Sequence, residues 1–300
     1  MKQKTWGFLW LFCALTLASC ADQSSSGANK GFYSERWGGS GTVPRFAFIA
    51  NAKDKLVSSY TVSTGNNGQL RPLDVVTLSN TPVIATMDPA NNFLYVPNFT
   101  VTTGPHCISS YSVNATTGKL TFIQDTCDTG GTNWEEPTWL AVDPAGQYAV
   151  SSNFKTDNLT LFTLAGGVAT WNEDEIGDGT MNGPIKVRMI QTPSKLCVYS
   201  NSFFSDRVHV FEINTTLNDL NFVQTLTTGN GVGDGPFDIT AADFGSNNWH
   251  VFVSNFESDT VSSFSVDETT CQLTSIGSYA TGTNSGPTHI ITTSDGQYAY

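Results

Sequence analysis

The stretch Pro137-Thr138-Trp139-Leu140-Ala141-Val142-Asp143-Pro144 reads as a short apolar strand opened by one proline and closed by an Asp-Pro turn. Related openings begin at Pro82, Pro184, Pro236 and Pro287, so the prolines stand 55, 47, 52 and 51 residues apart. A second series of runs ends in Asn51, Asn98, Asn153, Asn201 and Asn255. A third begins at Val57, Ile108, Leu159, Val208 and Val261, each followed by a short hydroxyl-rich or apolar run ending in Tyr or Phe. Three series in phase at one period define a repeat protein.

Between these landmarks lie Val, Ile, Thr, Tyr and Phe runs, separated by Asp-Pro, Gly, Asn-Asn and Thr-Thr-Gly clusters, which is strand-and-turn chemistry. Strands are expected over 137–142, 148–152 and 159–164, with a weaker fourth such as 120–125 in the preceding unit, and helices have no room. A four-stranded meander cannot bury both faces alone. Copies set radially around a channel give each sheet a neighbour on either side, so the expected fold is an all-β β-propeller of four-stranded antiparallel blades. A β-sandwich does not repeat internally in this way, and β-helix coils are shorter. The expected blades are about 45–80, 81–134, 135–183, 184–235 and 236–286, with another starting at 287–300. The last residues, 296–300, align with 146–150 and stop short of the strand-two Asn, so a piece of a larger ring is expected.

Ahead of the repeats, Lys2 and Lys4 precede an apolar stretch from Trp6 to Leu17, too short to span a bilayer and shaped like a secretory signal. Its end, Leu17-Ala18-Ser19-Cys20, resembles the bacterial lipobox, in which the cysteine is lipidated; an ordinary cleavage site is the alternative. Residues 1–20 are therefore expected to be a lipoprotein signal and 21–44 a flexible tether. Ala21 directly after the cysteine favours a bacterial outer-membrane location, with the lipid as the only membrane contact.

Without the signal, 12 basic side chains face 26 acidic ones, which argues against a nucleic-acid partner. Cys107 and Cys127 bracket a hairpin turning at 114–119, and if Val113 pairs near Leu120, Cys107 falls opposite Thr126 or Cys127. A cross-strand disulfide is therefore expected. Cys197 and Cys271 lie in different repeats and are expected to be unpaired. The acidic run Glu173-Asp174-Glu175, with Asp178, reads as a solvated loop rather than a calcium site. With no Gly-rich phosphate loop, Cys/His zinc set or Gly-x-Ser-x-Gly elbow in sight, no metal or cofactor is expected.

Tyr95-Val96-Pro97-Asn98, Thr116-Thr117-Gly118-Lys119-Leu120 and Gly286-Pro287-Thr288-His289-Ile290 carry a resemblance to the lactonase-type seven-bladed β-propellers. These include the 6-phosphogluconolactonase and carboxymuconate-cyclase relatives and the YVTN-repeat surface-layer proteins. The resemblance implies about five blades present of a probable seven. Enzymatic members open one inner strand with Gly-Pro-Arg-His, and this chain matches the histidine at His289 but has Thr288 where the arginine would stand.

The residues themselves direct attention to the second position after each proline, near the start of the innermost strand and so at the channel mouth. These are Ile84, Trp139, Lys186, Asp238 and His289, with Arg188 two residues past Lys186 on the same strand face. A lactone hydrolase would use His289 or Asp238 as general base, and Lys186, Arg188 and Trp139 to hold substrate. The plainer reading is a set of polar residues lining a wet channel. Two functions therefore stand open: hydrolysis of a small lactone, or a non-enzymatic envelope propeller that binds a protein or glycan.

Overall fold

The computed structural model describes residues 18–19, 45–63, 68–100, 104–128, 133–293 and 298–300; the expected tether, 21–44, and all but two residues of the expected signal lie outside them. No described residue is helical. The strands form five sheets in chain order. Blade 1 is β1 (Ala18–Ser19), β2 (Phe46–Asn51), β3 (Leu56–Val62) and β4 (Leu70–Thr77). Blade 2 has a divided first strand, β5 (Thr81–Pro82) and β6 (Thr86–Met87), then β7 (Phe93–Phe99), β8 (His106–Val113) and β9 (Leu120–Asp128). Blade 3 is β10 (Pro137–Val142), β11 (Tyr148–Asn153), β12 (Asn158–Ala165) and β13 (Val168–Glu175). Blade 4 is β14 (Pro184–Gln191), β15 (Leu196–Ser202), β16 (Arg207–Asn214) and β17 (Asp219–Thr227). Blade 5 is β18 (Pro236–Asp243), β19 (Trp249–Asn255), β20 (Thr260–Val266) and β21 (Leu273–Ala280). Beyond it, a single antiparallel bridge joins Thr292 to Ala299.

Every sheet is an antiparallel meander, and strands of different repeats never share one among the described residues, the two-residue β1 aside. The proline-led strands lie innermost: β10 packs on β14 and β14 on β18, while fourth strands such as β21 are largely exposed. In blades 3 and 4 the second strand is the most deeply buried: every residue of β11 and of β15 is buried.

The period of two explains how one strand serves two cores. In β15, Leu196 and Val198 face blade 3, joining Val150, Leu161 and Val187. Cys197 and Tyr199 face the other way, into blade 5, with Val251, Phe264 and Cys271. This alternation overturns the expectation of two free cysteines, because Cys197 and Cys271 form a disulfide across the blade 4–5 joint. Separation into different repeats does not keep them apart when neighbouring blades pack face to face. Cys107 and Cys127 are also bonded, directly opposite each other on β8 and β9. A bulge between Ser110 and Tyr111 adds one residue to the register, which selects Cys127 over Thr126.

Two turn expectations sharpen in the same way. Asp88 Oδ1 accepts from the backbone N–H groups of Asn92 and Phe93, both at 2.7 Å, and Asp143 Oδ1 accepts from Gln147 and Tyr148 at 2.6 and 2.7 Å. Burial pushes both carboxyls above the usual carboxylate range, and these amides pull the other way. The acidic run is not a loop: Glu173, Asp174 and Glu175 end β13, where Thr160 Oγ1 donates to Asp174 at 2.5 Å and the backbone N–H of Leu220, in blade 4, donates to Glu173.

Candidate functional site at the channel mouth

The start of the inner strand is built the same way in three blades. Pro137 pairs with Asn153 but Trp139 with Ser152; Pro184 pairs with Ser202 but Lys186 with Asn201; Pro236 pairs with Asn255 but Asp238 with Ser254. Thr138, Ile185 and Phe237 are thus bulged residues, and a bulge both re-aims the next side chain and leaves backbone groups unpaired in its own sheet. The preceding blade supplies partners. Thr138 Oγ1 and Ser152 Oγ donate to the Ile185 carbonyl at 2.8 and 2.9 Å, and Asn201 Nδ2 donates to the Pro236 carbonyl at 2.7 Å. These hydrogen bonds stitch consecutive inner strands around the axis.

The bulges bring the second residues after the prolines together. Lys186 Nζ forms an ion pair with Asp238 Oδ1, the two side chains being 16% and 3% exposed. The same ammonium lies 4.3 Å from the ring centroid of Trp139, a cation–π contact. Asp238 Oδ2 accepts from the backbone N–H of Ile290 at 3.1 Å, and Oδ1 from that of Ile239 at 2.6 Å. Three equivalent positions in blades 3, 4 and 5, and the amide just past the fourth, therefore form one continuous chain of contacts. Burial pulls Lys186 below the usual lysine range; the Asp238 carboxylate opposes this, and Arg188 adds to it.

His289 is exposed, with Nδ1 3.4 Å from Thr288 Oγ1, and it is tethered to the cluster through its neighbour Ile290 rather than through its ring. Arg188 is half-buried on β14. Ile84 occupies the equivalent place in blade 2 as a buried apolar residue between β5 and β6.

Sequence reasoning missed the residues that hold this arrangement. One set was legible: two residues ahead of each member of the third series stand Lys55, His106, Asp157, Asp206 and Asp259. Asp157, Asp206 and Asp259 accept from the backbone N–H groups of Gly183, Gly235 and Gly286, at 2.6, 2.9 and 2.8 Å, just ahead of the next blade's proline. Those glycines take left-handed backbone angles, φ 66°, 57° and 51°. A Cβ on Gly235 would meet Glu257 Cγ at 2.7 Å. At the blade 2–3 joint the pattern changes. There His106 Nδ1 accepts from Glu136 N at 3.4 Å, and Glu136 adopts φ 53° without being glycine.

Of the strand-two asparagines, Asn51, Asn98, Asn153 and Asn255 tie strand two to a hydroxyl inside strand three: Ser58, Ser109, Thr160 and Ser262, at 2.7 to 3.0 Å. Asn201 does not belong to this set, since Ser202 occupies the equivalent ladder position in blade 4.

Radial four-stranded blades around inner strands that present polar residues at one mouth define a β-propeller with a candidate ligand site on its axis. The model of the lactonase family, a seven-bladed β-propeller, matches residues 46–236 and 198–300. The chain belongs to that family. Among solved structures it is similar to a candidate 6-phosphogluconolactonase from Bacteroides fragilis, at 20% identity and TM-score 0.68, over 85% of this chain and 73% of that one. A second candidate 6-phosphogluconolactonase, from Bacteroides uniformis, is 18% identical at TM-score 0.66 over the same shares. A protein from Lactobacillus plantarum is 20% identical at TM-score 0.62, over 81% of this chain and 70% of that one. At such identities the likeness speaks for the fold alone. A search of curated proteins found no significant match.

Proposed function

We propose that this chain is an exported lactone hydrolase acting at the channel mouth. The observation that carries the reading is the Trp139–Lys186–Asp238 contact chain, assembled from equivalent positions of three blades within a family of lactonases. In this mechanism His289, the exposed titratable group beside the cluster, takes a proton from water as the water oxygen attacks the lactone carbonyl. The ring C–O bond then breaks, and His289 returns the proton to the leaving alkoxide. Lys186 and Arg188 face the developing oxyanion, and Trp139 offers an apolar wall to the ring. Asp238, with Lys186 on one oxygen and the Ile290 amide on the other, holds the lysine in place, which leaves the role of base to His289.

The test is hydrolysis of a panel of simple and phosphorylated lactones by the purified protein. His289→Ala should lower the rate by about two to four orders of magnitude, the usual worth of a general base. Full activity in that variant removes His289 from the mechanism. A second reading, a non-enzymatic envelope propeller binding a protein or glycan, draws on the mutual neutralisation of Lys186 and Asp238; it gains if no lactone is turned over.

Two disulfides support export, because such bonds persist in oxidising compartments. We place the protein in a bacterial cell envelope, held at the outer membrane through lipid on Cys20. Metabolic fatty-acid labelling that disappears in Cys20→Ser is the expected result; equal labelling of both proteins ends the lipoprotein reading.

A further inference from the structure

Blade 4 breaks a rule that blades 3 and 5 keep. Their second strands end Ser152-Asn153 and Ser254-Asn255, whereas β15 ends Asn201-Ser202. The ladder shows a true exchange: Ser202 pairs with Arg207 as Asn153 pairs with Asn158 and Asn255 with Thr260. In blades 3 and 5 the outer member of the pair, the asparagine, locks strand two to a strand-three hydroxyl. In blade 4 the corresponding groups are Ser202 and His209, and both Ser202 Oγ and His209 Nε2 are buried without a hydrogen-bond partner. Burying unsatisfied polar atoms destabilises the fold, so the exchange gives up local stability. A broken local rule of this kind is expected where a site requires it.

The gain lies at the inner member of the pair. Ser152 uses its hydroxyl on the next blade, at the Ile185 carbonyl, and Ser254 uses its own on its own blade, accepting from Asp238 N at 3.1 Å. The hydroxyl at this position makes one of these contacts in blade 3 and the other in blade 5. Asn201 reaches its own blade and the next at once: Oδ1 accepts from Lys186 N at 3.2 Å, and Nδ2 donates at 2.7 Å to the carbonyl of Pro236, one residue ahead of the bulge. One amide therefore grips the two bulged segments that carry Lys186 and Asp238.

We propose that Asn201 is a positioning residue that sets the Lys186–Asp238 ion pair across the blade 4–5 joint. It touches neither reacting atoms nor the ammonium; it acts by fixing the backbones from which both charged side chains depart. Its functional consequence rests on the mouth being the working site, but the geometric claim does not.

The test reads Lys186 directly. Acetylation of lysines by an amine-reactive ester is followed against pH by mass spectrometry in the full chain, with the exposed Lys155 as internal reference. Asn201→Ser keeps an uncharged oxygen to accept from Lys186 N, as Ser254 accepts from Asp238 N in blade 5, and loses the donor to Pro236. In that variant Lys186 labelling relative to Lys155 should rise about tenfold, as expected if its apparent titration shifts by one unit. Asn201→Ser combined with Ser202→Asn restores the order of blades 3 and 5, which guards against a variant that merely fails to fold. It should fold at least as stably as the parent and still show the raised labelling. Unchanged Lys186 labelling in either folded variant overturns the proposal. Because the readout needs no turnover, a protein that hydrolyses no lactone yet shows the labelling change sinks the hydrolase reading alone.

Discussion

The joint between blades 4 and 5 and the joint between blades 2 and 3 solve one problem with different chemistry. At the first, Asp206 accepts from the N–H groups of Gly233, Asp234 and Gly235 at 2.8, 2.8 and 2.9 Å, Asn201 spans two inner strands, and Cys197–Cys271 closes the buried face. At the second, the place of Asp206 is taken by His106, whose Nδ1 accepts one longer hydrogen bond from Glu136. There Thr86 Oγ1 reaches the Leu140 carbonyl at 3.0 Å. The heavily fastened joint is the one the Lys186–Asp238 pair crosses. Of these two joints, the closer fastening falls where two charges are held at low solvent exposure, as preorganised sites require.

Removing the fastenings should reveal this difference. Asp206→Ala strands three backbone amides and should lower unfolding free energy by about 3 kcal/mol, whereas Thr86→Val, which takes the hydroxyl off the Leu140 carbonyl at the blade 2–3 joint, should cost about 1 kcal/mol. Denaturant titration of both variants measures the contrast; equal losses would mean that the joints are fastened alike.

Acid should probe the fold from another side. His209, buried in blade 4 where blades 3 and 5 carry Thr160 and Ser262, is pushed down to about 4 by burial, with Arg207 acting in the same direction and Asp178 opposing. The unfolded chain therefore takes up the proton first as pH falls. The contribution is fully present above the ordinary histidine value and is lost between about pH 6.5 and 4; it should amount to about 2 kcal/mol by pH 5. His209→Thr should flatten that part of the stability profile. An unchanged slope in the variant would assign the acid sensitivity elsewhere, with His106, which burial also holds below the usual histidine range, as the next group to test.

What could be read in the sequence was what neighbours in the chain decide. The proline-led runs, the turns and the alternation within each strand are local, so the inner strand 137–142 and the second and third strands of blade 3 came out within a residue or two of those observed. The second residue after each proline pointed to Trp139, Lys186 and Asp238, because equivalent positions converge in a ring. The rest depended on what faces what across a joint. Cys197 seemed isolated until the two faces of β15 were assigned to different blades. Asn201 matches its series by residue type and departs from it only in ladder position, which is fixed by the pairing with strand three. The direction of the His289 ring was not legible, since it depends on a surface segment outside the named strands.

The most direct test of the account is a double-mutant cycle on Lys186→Met and Asp238→Asn, read by equilibrium unfolding. If the two form one preorganised unit across the blade 4–5 joint, the double variant should lose less than the sum of the singles, with a coupling energy of about 2 kcal/mol. Additive losses, with coupling near zero, would contradict the claim that this pair is the built centre of the channel mouth.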